Sequence, residues 1–219
     1  MSCCTPSGYR SIFGSRTAAR DARRYREKGL LGTAAWLRDA LVGEGVDDRS
    51  LLEIGGGVGT LQLELLAAGA ASATNVEIID SYEEDARVLI TERDLERRVD
   101  RVVGDIVQDA DLAPPADIVI LHRVICCYPD AAGMMTAACM HAGDRIALTL
   151  PRNALWIRLG FAVMNAWLRL RRVAFRAYVH EPRQLFDAAT AHGFGLTGHT
   201  AGLPWQCAIL RRQDSSTSP

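Results

Sequence analysis

The chain alternates short apolar runs with amphipathic stretches, and this alternation predicts a parallel β-sheet covered by helices on both faces. Six runs are predicted to be strands: SLLEIGG (50–56), ATNVEII (73–79), RVDRVVGDI (98–106), ADIVILHRV (116–124), DRIALTLPR (144–152) and PWQCAILRR (204–212). The fourth run is continuously apolar, which is typical of a strand buried on both faces. The pattern therefore predicts an α/β fold with a doubly wound, mostly parallel sheet.

The stretches between the strands follow the helical period of 3.6 residues. Helices are predicted in three of them: TLQLELLAAG (60–69), SYEEDARVLITERD (81–94) and, after a turn, RAYVHEPRQLFDAATAHGF (176–194). Segment 16–42 is predicted to be helical with a break at Gly29 and Gly32. Segment 153–175 is predicted to form a wide apolar helix whose polar residues fall along one side: Arg158, Asn165, Arg169 and Arg172.

These elements are enough for one domain. We expect an N-terminal segment over 1–15, a single domain over 16–212 and a disordered tail over 213–219, where small and polar residues dominate. Within the domain, cap helices are expected over 16–49, and an inserted helix or lid over 153–176.

Composition and charge argue against several classes of function. The 219 residues are 48% hydrophobic and 23% charged, with a net charge of −1. Because this chain lacks the basic field that nucleic-acid binding uses, no nucleic-acid partner is expected. It has no run of about 18 uncharged apolar residues, and its first residues lack the apolar core of a secretory signal. We therefore expect a cytoplasmic protein with reduced thiols and no transmembrane segment.

The clearest motif is EIGGGVG (53–59), which follows the first strand and precedes a helix. Its alternate glycines allow a sharp backbone turn and leave no Cβ between the chain and a ligand. The N-terminus of the following helix directs free N–H groups at that ligand and favours a carboxylate or phosphate. A dinucleotide fingerprint needs glycine at position 60 or 62, which hold Thr60 and Gln62, and the Gly-Lys-Ser/Thr of a phosphate-binding loop is absent.

Acidic residues also follow the second and third strands. Glu77 comes 18 residues after Gly59, where doubly wound folds place an acid that bonds both ribose hydroxyls. Asp105 is placed to accept a hydrogen bond from an exocyclic adenine amine while Ile106 packs on the ring. A single acid at a strand end is usually a solvated loop carboxylate, but three at one sheet edge, Glu53 included, indicate a nucleoside site.

An acid-x-G-x-G-x-G motif, an acid after the second strand and an aspartate after the third make the chain similar to class I S-adenosylmethionine-dependent methyltransferases over about residues 20–212. The resemblance implies a Rossmann-like fold, S-adenosyl-L-methionine as cofactor and an enzyme that transfers its methyl group. It also implies a contact for each matching residue. The methionine moiety would contact Glu53, Gly55, Gly57 and Gly59, the ribose Glu77 with Ile78, and the adenine Asp105 with Ile106.

Within that class, DIVILHRVICCYPD (117–130), the apolar helix and the segment 176–194 most resemble magnesium-protoporphyrin O-methyltransferases. That subfamily typically has Asp and His at the positions matched here by Arg123 and Cys127. This difference leaves the acceptor open. We expect a small apolar or aromatic molecule that is methylated on oxygen or nitrogen.

Candidates for catalysis follow the fourth strand, at the edge where open α/β sheets bind ligands. His122 is the first candidate for a general base and His180 the second, because imidazole titrates near neutrality. His122 is also expected to contact the cofactor. The alternative, of equal weight, is that His122 is a strand-end histidine bonded to the backbone.

The expected acceptor contacts lie around the same edge. A carboxylate acceptor needs no base, and Arg123 or Arg152 would then hold it by bidentate hydrogen bonds. Tyr128 and Trp156 are expected to offer aromatic surface to a flat acceptor.

The vicinal cysteines admit a second interpretation. Cys126 and Cys127, together with Cys3 and Cys4, supply four thiols for zinc or for a thiophilic ion such as arsenite. Zinc sites usually separate paired ligands by two to four residues, so packing is the favoured explanation and no metal is predicted. Two alternatives stay open: a thiol- or arsenic-directed methyltransferase, and a non-catalytic protein that binds S-adenosylmethionine.

The apolar helix over 153–175 also has several interpretations. It suits a substrate lid, a dimer face or a helix that lies at a membrane interface with its arginines among the headgroups. The interpretation as an ordinary helix packed on the sheet, with one basic stripe in solvent, is favoured as strongly as the lid. The expected partners are a small-molecule acceptor and, for a homodimer rather than a monomer, a second copy of the chain.

Overall fold

The computed structural model describes residues 5–213, which form seven strands and eight α-helices. The strands are β1 (Ser50–Ile54), β2 (Ser72–Glu77), β3 (Val99–Val103), β4 (Ala116–Leu121), β5 (Ala142–Pro151), β6 (Phe194–Ala201) and β7 (Trp205–Arg212). The helices are α1 (Pro6–Ile12), α2 (Ser15–Lys28), α3 (Thr33–Gly43), α4 (Thr60–Ala67), α5 (Glu83–Thr91), α6 (Ala131–His141), α7 (Leu155–Leu170) and α8 (Pro182–Ala191). Cys3, Cys4 and the predicted tail beyond residue 213 lie outside the described residues.

One sheet contains all seven strands in the order β3-β2-β1-β4-β5-β7-β6. The first five pair in parallel, and β7 is antiparallel to both β5 and β6. The predicted α/β fold with a doubly wound, mostly parallel sheet is confirmed. The strand order reverses between β1 and β4, and in open sheets of this kind the ligand crevice lies outside the carboxyl ends of the strands at that point.

Two hydrophobic layers cover the sheet because consecutive strand residues point to opposite faces. Leu51 packs with residues of α3 and α4 on one face, whereas Leu52 packs with residues of α6 and α8 on the other. The central strand β4 is buried from Ile118 to Leu121, as its continuous apolar run predicts.

Helix α1 and strand β6 were not predicted. Helix α1 begins at Pro6, where the Thr5 side chain accepts a hydrogen bond from the Gly8 N–H, so a helix lies within the predicted N-terminal segment. Strand β6 lies at the edge of the sheet and has a register shift between Leu196 and Gly198. Two glycines interrupt its sequence and only Phe194 is buried, so the alternation of apolar and polar positions that indicates a strand is weak.

Several predicted boundaries were wrong. The third strand ends at Val103 rather than Ile106, and the fourth ends at Leu121 rather than Val124. The Gly104 N–H makes the last hydrogen bond between β3 and β2, to the Glu77 carbonyl at 2.8 Å. The apolar helix ends at Leu170 rather than near residue 175. Its Asn165 side chain bonds both the N–H and the carbonyl of Ala177, at 3.0 and 2.7 Å, and so holds the following segment against the helix.

The predicted break at Gly29 and Gly32 is present between α2 and α3, and both glycines have positive φ. No helix between residues 5 and 213 has the length and apolarity needed to cross a membrane.

Candidate active site

A cavity of about 430 Å³ opens at the carboxyl ends of β1, β2 and β4 and beside the loop after β3. It coincides with the point where the strand order reverses. Its volume falls in the range of small-molecule pockets. The glycine loop forms one wall, and α1 and α2 contribute residues from the N-terminal side.

The loop between β1 and α4 holds three glycines in the left-handed region, with φ of +68° at Gly55, +62° at Gly57 and +78° at Gly59. Gly55 and Gly57 line the cavity, whereas Gly59 lies outside its lining as the N-cap of α4. A Cβ on Gly55 would lie 2.6 Å from Cγ2 of Val124. The absence of side chains thus leaves the backbone itself as the cavity wall.

We expect Gly55→Ala to lower the free energy of unfolding by about 2 kcal/mol, because alanine disfavours left-handed backbone by about 1–2 kcal/mol and its Cβ overlaps Val124. For a domain of this size that loss corresponds to a decrease in Tm of about 4–8 °C. The control is Gly43→Ala, because a Cβ there has no neighbour within 4 Å. Equal Tm values for the two variants would contradict the strain assigned to Gly55.

Three buried polar side chains lie beneath the glycine loop: Glu53, Gln62 and Asn75. A Cβ on Gly56 would overlap both Glu53 and Asn75, so the loop rests directly on them. The backbone N–H of Gln62 donates to the Glu53 carboxylate, and burial raises the pKa of Glu53 to about 8. Glu53 is thus placed under the loop and not in the cavity lining.

Several atoms of this buried group have no hydrogen-bond partner within residues 5–213: Oε2 of Glu53, both side-chain amide atoms of Gln62 and both of Asn75. Buried polar groups are normally paired, and an unpaired one costs about 1–3 kcal/mol. The base of the loop is therefore a buried polar group within an otherwise apolar core.

Glu77 ends β2 and lines the cavity. Its carboxylate accepts a hydrogen bond from the Gly57 N–H and so ties the loop to the second strand. Burial raises the pKa of Glu77 to about 7, while the Gly57 N–H and the nearby Arg101 guanidinium oppose this rise. Arg101 is positioned by the Gly57 carbonyl and the Glu83 carboxylate, both at 2.9 Å.

Asp105 lines the cavity after β3 and is held in place through both oxygens. Its Oδ1 accepts from the Val107 N–H at 3.0 Å, and its Oδ2 accepts from the Tyr128 hydroxyl at 2.8 Å. Burial and this contact raise the pKa of Tyr128 to about 12. Tyr128, which was predicted to contact the acceptor, thus lies against the residue predicted to contact adenine. Ile78 and Ile106 line the same part of the cavity.

His122 and Arg123 line the cavity directly after β4. Nε2 of His122 lies 3.0 Å from the Thr33 hydroxyl, so its polar contact is with a side chain and not with the backbone. Burial, and to a smaller extent Arg123, lower the pKa of His122 to about 4, which leaves the imidazole neutral at pH 7. Arg123 has a φ of +58°, and its guanidinium lies 4.8 Å from the centre of the Trp205 ring.

The N-terminal helices supply cavity residues that the sequence analysis missed, among them Tyr9, Phe13 and Arg24. Tyr9 donates from its hydroxyl to the Cys127 carbonyl at 2.7 Å, and the rings of Tyr9 and Phe13 pack on Phe175. The available signal was the pair of aromatic residues at positions 9 and 13, one helical turn apart, after the capping sequence Thr5-Pro6.

Besides Glu53 and Gly59, three predicted residues lie outside the cavity lining. His180 contacts the Tyr128 carbonyl through Nε2 at 2.9 Å. Arg152 lies beside Glu181 in a separate shallow depression, and Trp156 is 56% exposed on α7. The structure therefore does not bring these side chains together with His122.

Cys126 and Cys127 lie close together, but two thiols are fewer than the four ligands of a structural zinc site. Sγ of Cys126 and Sγ of Cys127 are 3.7 Å apart; Cys126 is buried, and Cys127 lines the cavity. Within residues 5–213 no group of three or more His, Cys, Asp or Glu side chains is arranged to hold a metal ion. The proposed partners Cys3 and Cys4 lie outside the described residues.

Proteins similar to this chain are found among solved structures, and they support the fold. No family model matches the chain, and no curated protein matches its sequence. The magnesium protoporphyrin IX methyltransferase (ChlM) from Synechocystis PCC 6803 with bound SAH is similar in structure, with a TM-score of 0.72 at 22% identity over 93% of this chain and 97% of that one. An O-methyltransferase family protein from Burkholderia thailandensis superposes with a TM-score of 0.70 at 14% identity over 91% and 59% of the two chains.

Human N-acetylserotonin methyltransferase in complex with SAM has a TM-score of 0.64 at 16% identity, over 93% of this chain and 57% of that one. These likenesses confirm the predicted resemblance at the level of the fold, which is the Rossmann-like fold of class I methyltransferases. The chain spans nearly all of the Synechocystis enzyme but less than two thirds of the other two.

Proposed function

We propose that the chain is an S-adenosylmethionine-dependent methyltransferase that acts on oxygen or nitrogen of a small apolar or aromatic molecule. The observation that carries the proposal is one cavity, at the switch point of the sheet, that combines a side-chain-free glycine loop with two fixed carboxylates, Glu77 and Asp105. The fold shared with methyltransferases supports it. Because Tyr9 of α1 lines the same cavity, we propose that the catalytic domain begins before residue 16 and ends near residue 212.

The residues present fit the cofactor. Gly55 and Gly57 leave open the space that a Cβ would fill, so the methionine part has room against the backbone. Glu77 would accept hydrogen bonds from the ribose hydroxyls, and Asp105 would accept one from the adenine amine. The adenine ring would lie between the apolar side chains of Ile78 and Ile106. Bound S-adenosylmethionine supplies an electrophilic methyl group on its sulfonium.

The remaining side of the cavity suits an acceptor that is largely apolar. Tyr9, Phe13 and Leu30 line it, beside the polar side chains of His122 and Arg24. An enzyme that holds a nucleophile in line with a reactive methyl obtains much of its rate from positioning. His122, neutral and in contact with the Thr33 hydroxyl, is the proposed base for a hydroxyl or amine proton. Its lowered pKa keeps the imidazole unprotonated and also makes it a weaker base, so positioning is the larger expected source of rate.

We expect His122→Asn to lower kcat by about 10²-fold, the lower end of the range for a general base, with little change in KM, because a general base acts in the transition state. The control is His180→Asn, whose imidazole contacts the Tyr128 carbonyl outside the cavity lining; its kcat is expected to stay within about threefold of the parent. Steady-state kinetics with purified variants measure both. An unchanged kcat in His122→Asn would show that His122 is not a general base and would leave positioning as the source of the rate enhancement.

Thermal unfolding with saturating S-adenosylhomocysteine tests the cofactor, with NAD and ATP as controls. A ligand at about 100 times its Kd adds roughly 2.7 kcal/mol to the stability, so a selective rise in Tm is expected. No shift with S-adenosylhomocysteine would reject the proposed function.

Transfer of a labelled methyl group to a panel of phenols, amines, carboxylic acids, thiols and arsenite then tests the acceptor. Product from phenols, amines or carboxylic acids is expected. Transfer to thiols or arsenite alone, lost in Cys127→Ser, would replace the proposed acceptor class. Cofactor binding with no product from any acceptor would favour a non-catalytic binding protein.

A further inference from the structure

Helix α7 turns an apolar face away from the protein. Its inner side packs through Ile157, Phe161 and Leu168, and Asn165 on the same side bonds Ala177. The opposite side exposes between 54% and 83% of six large side chains: Leu155, Trp156, Leu159, Val163, Trp167 and Leu170. A surface helix ordinarily exposes polar residues on that side. The interpretation of α7 as an ordinary packed helix with one solvated basic stripe therefore does not account for these exposed apolar side chains.

The charge around this face has one sign. Residues 152–180 contain six arginines and no aspartate or glutamate, although the chain as a whole has a net charge of −1. Arg158 and Arg169 are exposed at the side of the apolar face, and Arg171 lies 5.4 Å from the centre of the Trp167 ring. The occupant that complements such a surface is apolar in its interior and negatively charged at its boundary.

We propose that α7 docks on an anionic lipid bilayer, with its axis in the plane of the membrane. The apolar face would enter the boundary between headgroups and acyl chains, Trp156 and Trp167 would lie at headgroup depth, and the arginines would contact lipid phosphates. A second copy of the chain fits less well. The arginines of two copies would be brought together and would repel each other, and the segment 152–180 has no acidic residue to pair with them.

Docking would also bring the cavity to the membrane. The inner side of α7 belongs to a hydrophobic cluster that contains Tyr9, Phe13 and Ile78, all of which line the cavity. An apolar acceptor dissolved in the bilayer would then reach the cavity without crossing water. This consequence rests on the proposed function, whereas the docking itself does not.

Sedimentation with vesicles tests the docking, with phosphatidylcholine alone compared with phosphatidylcholine mixed with phosphatidylglycerol. We expect binding to the mixed vesicles that weakens as salt is added, because headgroup attraction is screened. Leu159→Gln with Val163→Gln should weaken it at least tenfold, because two apolar side chains leave the lipid. The matched control is Val88→Gln with Met140→Gln, which changes two exposed apolar side chains on α5 and α6 and should leave binding unchanged.

Quenching of tryptophan fluorescence by brominated lipid gives a second measurement on the unaltered chain, and Trp156→Phe with Trp167→Phe should remove most of it. The absence of binding, equal binding to neutral vesicles or equal loss in the control variant would overturn the proposal. A dimer in solution that dissociates in Leu159→Gln with Val163→Gln, while vesicle binding persists, would assign the face to a second copy instead. None of these outcomes requires cofactor or methyl transfer, so they are independent of the proposed function.

Discussion

Replacing Glu77 by alanine is expected to raise the Kd for S-adenosylhomocysteine at least tenfold, measured by isothermal titration calorimetry. The carboxylate ends β2 inside the cavity and is fixed by the Gly57 N–H, with Arg101 nearby. Hydrogen bonds to a charged group contribute about 1.5–3 kcal/mol each, and 1.4 kcal/mol corresponds to a factor of ten. The loss of even one ribose contact therefore accounts for the expected change.

Two further variants make this result specific. Glu77→Gln keeps an oxygen that accepts from Gly57 and loses the charge, so its Kd should lie between those of the parent and of Glu77→Ala. Glu96→Ala removes an exposed carboxylate from the loop before β3 and should bind like the parent. Unchanged affinity in both Glu77 variants, with folding verified by circular dichroism, would contradict the ribose assignment.

The sequence was informative where a local pattern carries the chemistry. The glycine motif, Glu77 and Asp105 were predictable because each follows a recognisable strand, and the carboxyl ends of parallel strands meet at one edge. The same reasoning placed His122 and Arg123 at the cavity. Each of these placements needs only the order of the strands.

The other features depend on contacts between distant segments, which periodicity does not contain. Tyr9 and Phe13 reach the cavity only because their rings pack on Phe175, over 160 residues later in the chain. The apolar character of α7 was evident, but the side that faces the protein is selected by the bonds from Asn165 to Ala177. Glu53 matches its motif, yet the loop folds over it and excludes it from the cavity lining.

This buried carboxyl leads to the second prediction with a large expected effect. Burial raises the pKa of Glu53 from 4.5 to about 8, so between these values the folded chain holds a proton that the unfolded chain has released. Stability must therefore fall as pH rises through this window, by about 5 kcal/mol. Glu77, with a pKa raised to about 7, adds a smaller change of the same sign, and His122 opposes both below about pH 6.5.

Glu53→Gln is accordingly expected to stabilise the ligand-free protein by about 4 kcal/mol at about pH 8.5 and to change it little at about pH 5. His122 is present in both proteins, so its contribution cancels in the difference, whereas the repulsion between Glu53 and Glu77 is lost in the variant and adds to the gain at high pH. Urea unfolding at the two pH values measures the difference, with Glu96→Gln as the exposed control. A gain of equal size at both pH values would show that packing, not the buried charge, is responsible. A gain confined to high pH would mean that the chain keeps a destabilising acid under the loop that is proposed to hold the cofactor, as expected where function and stability compete.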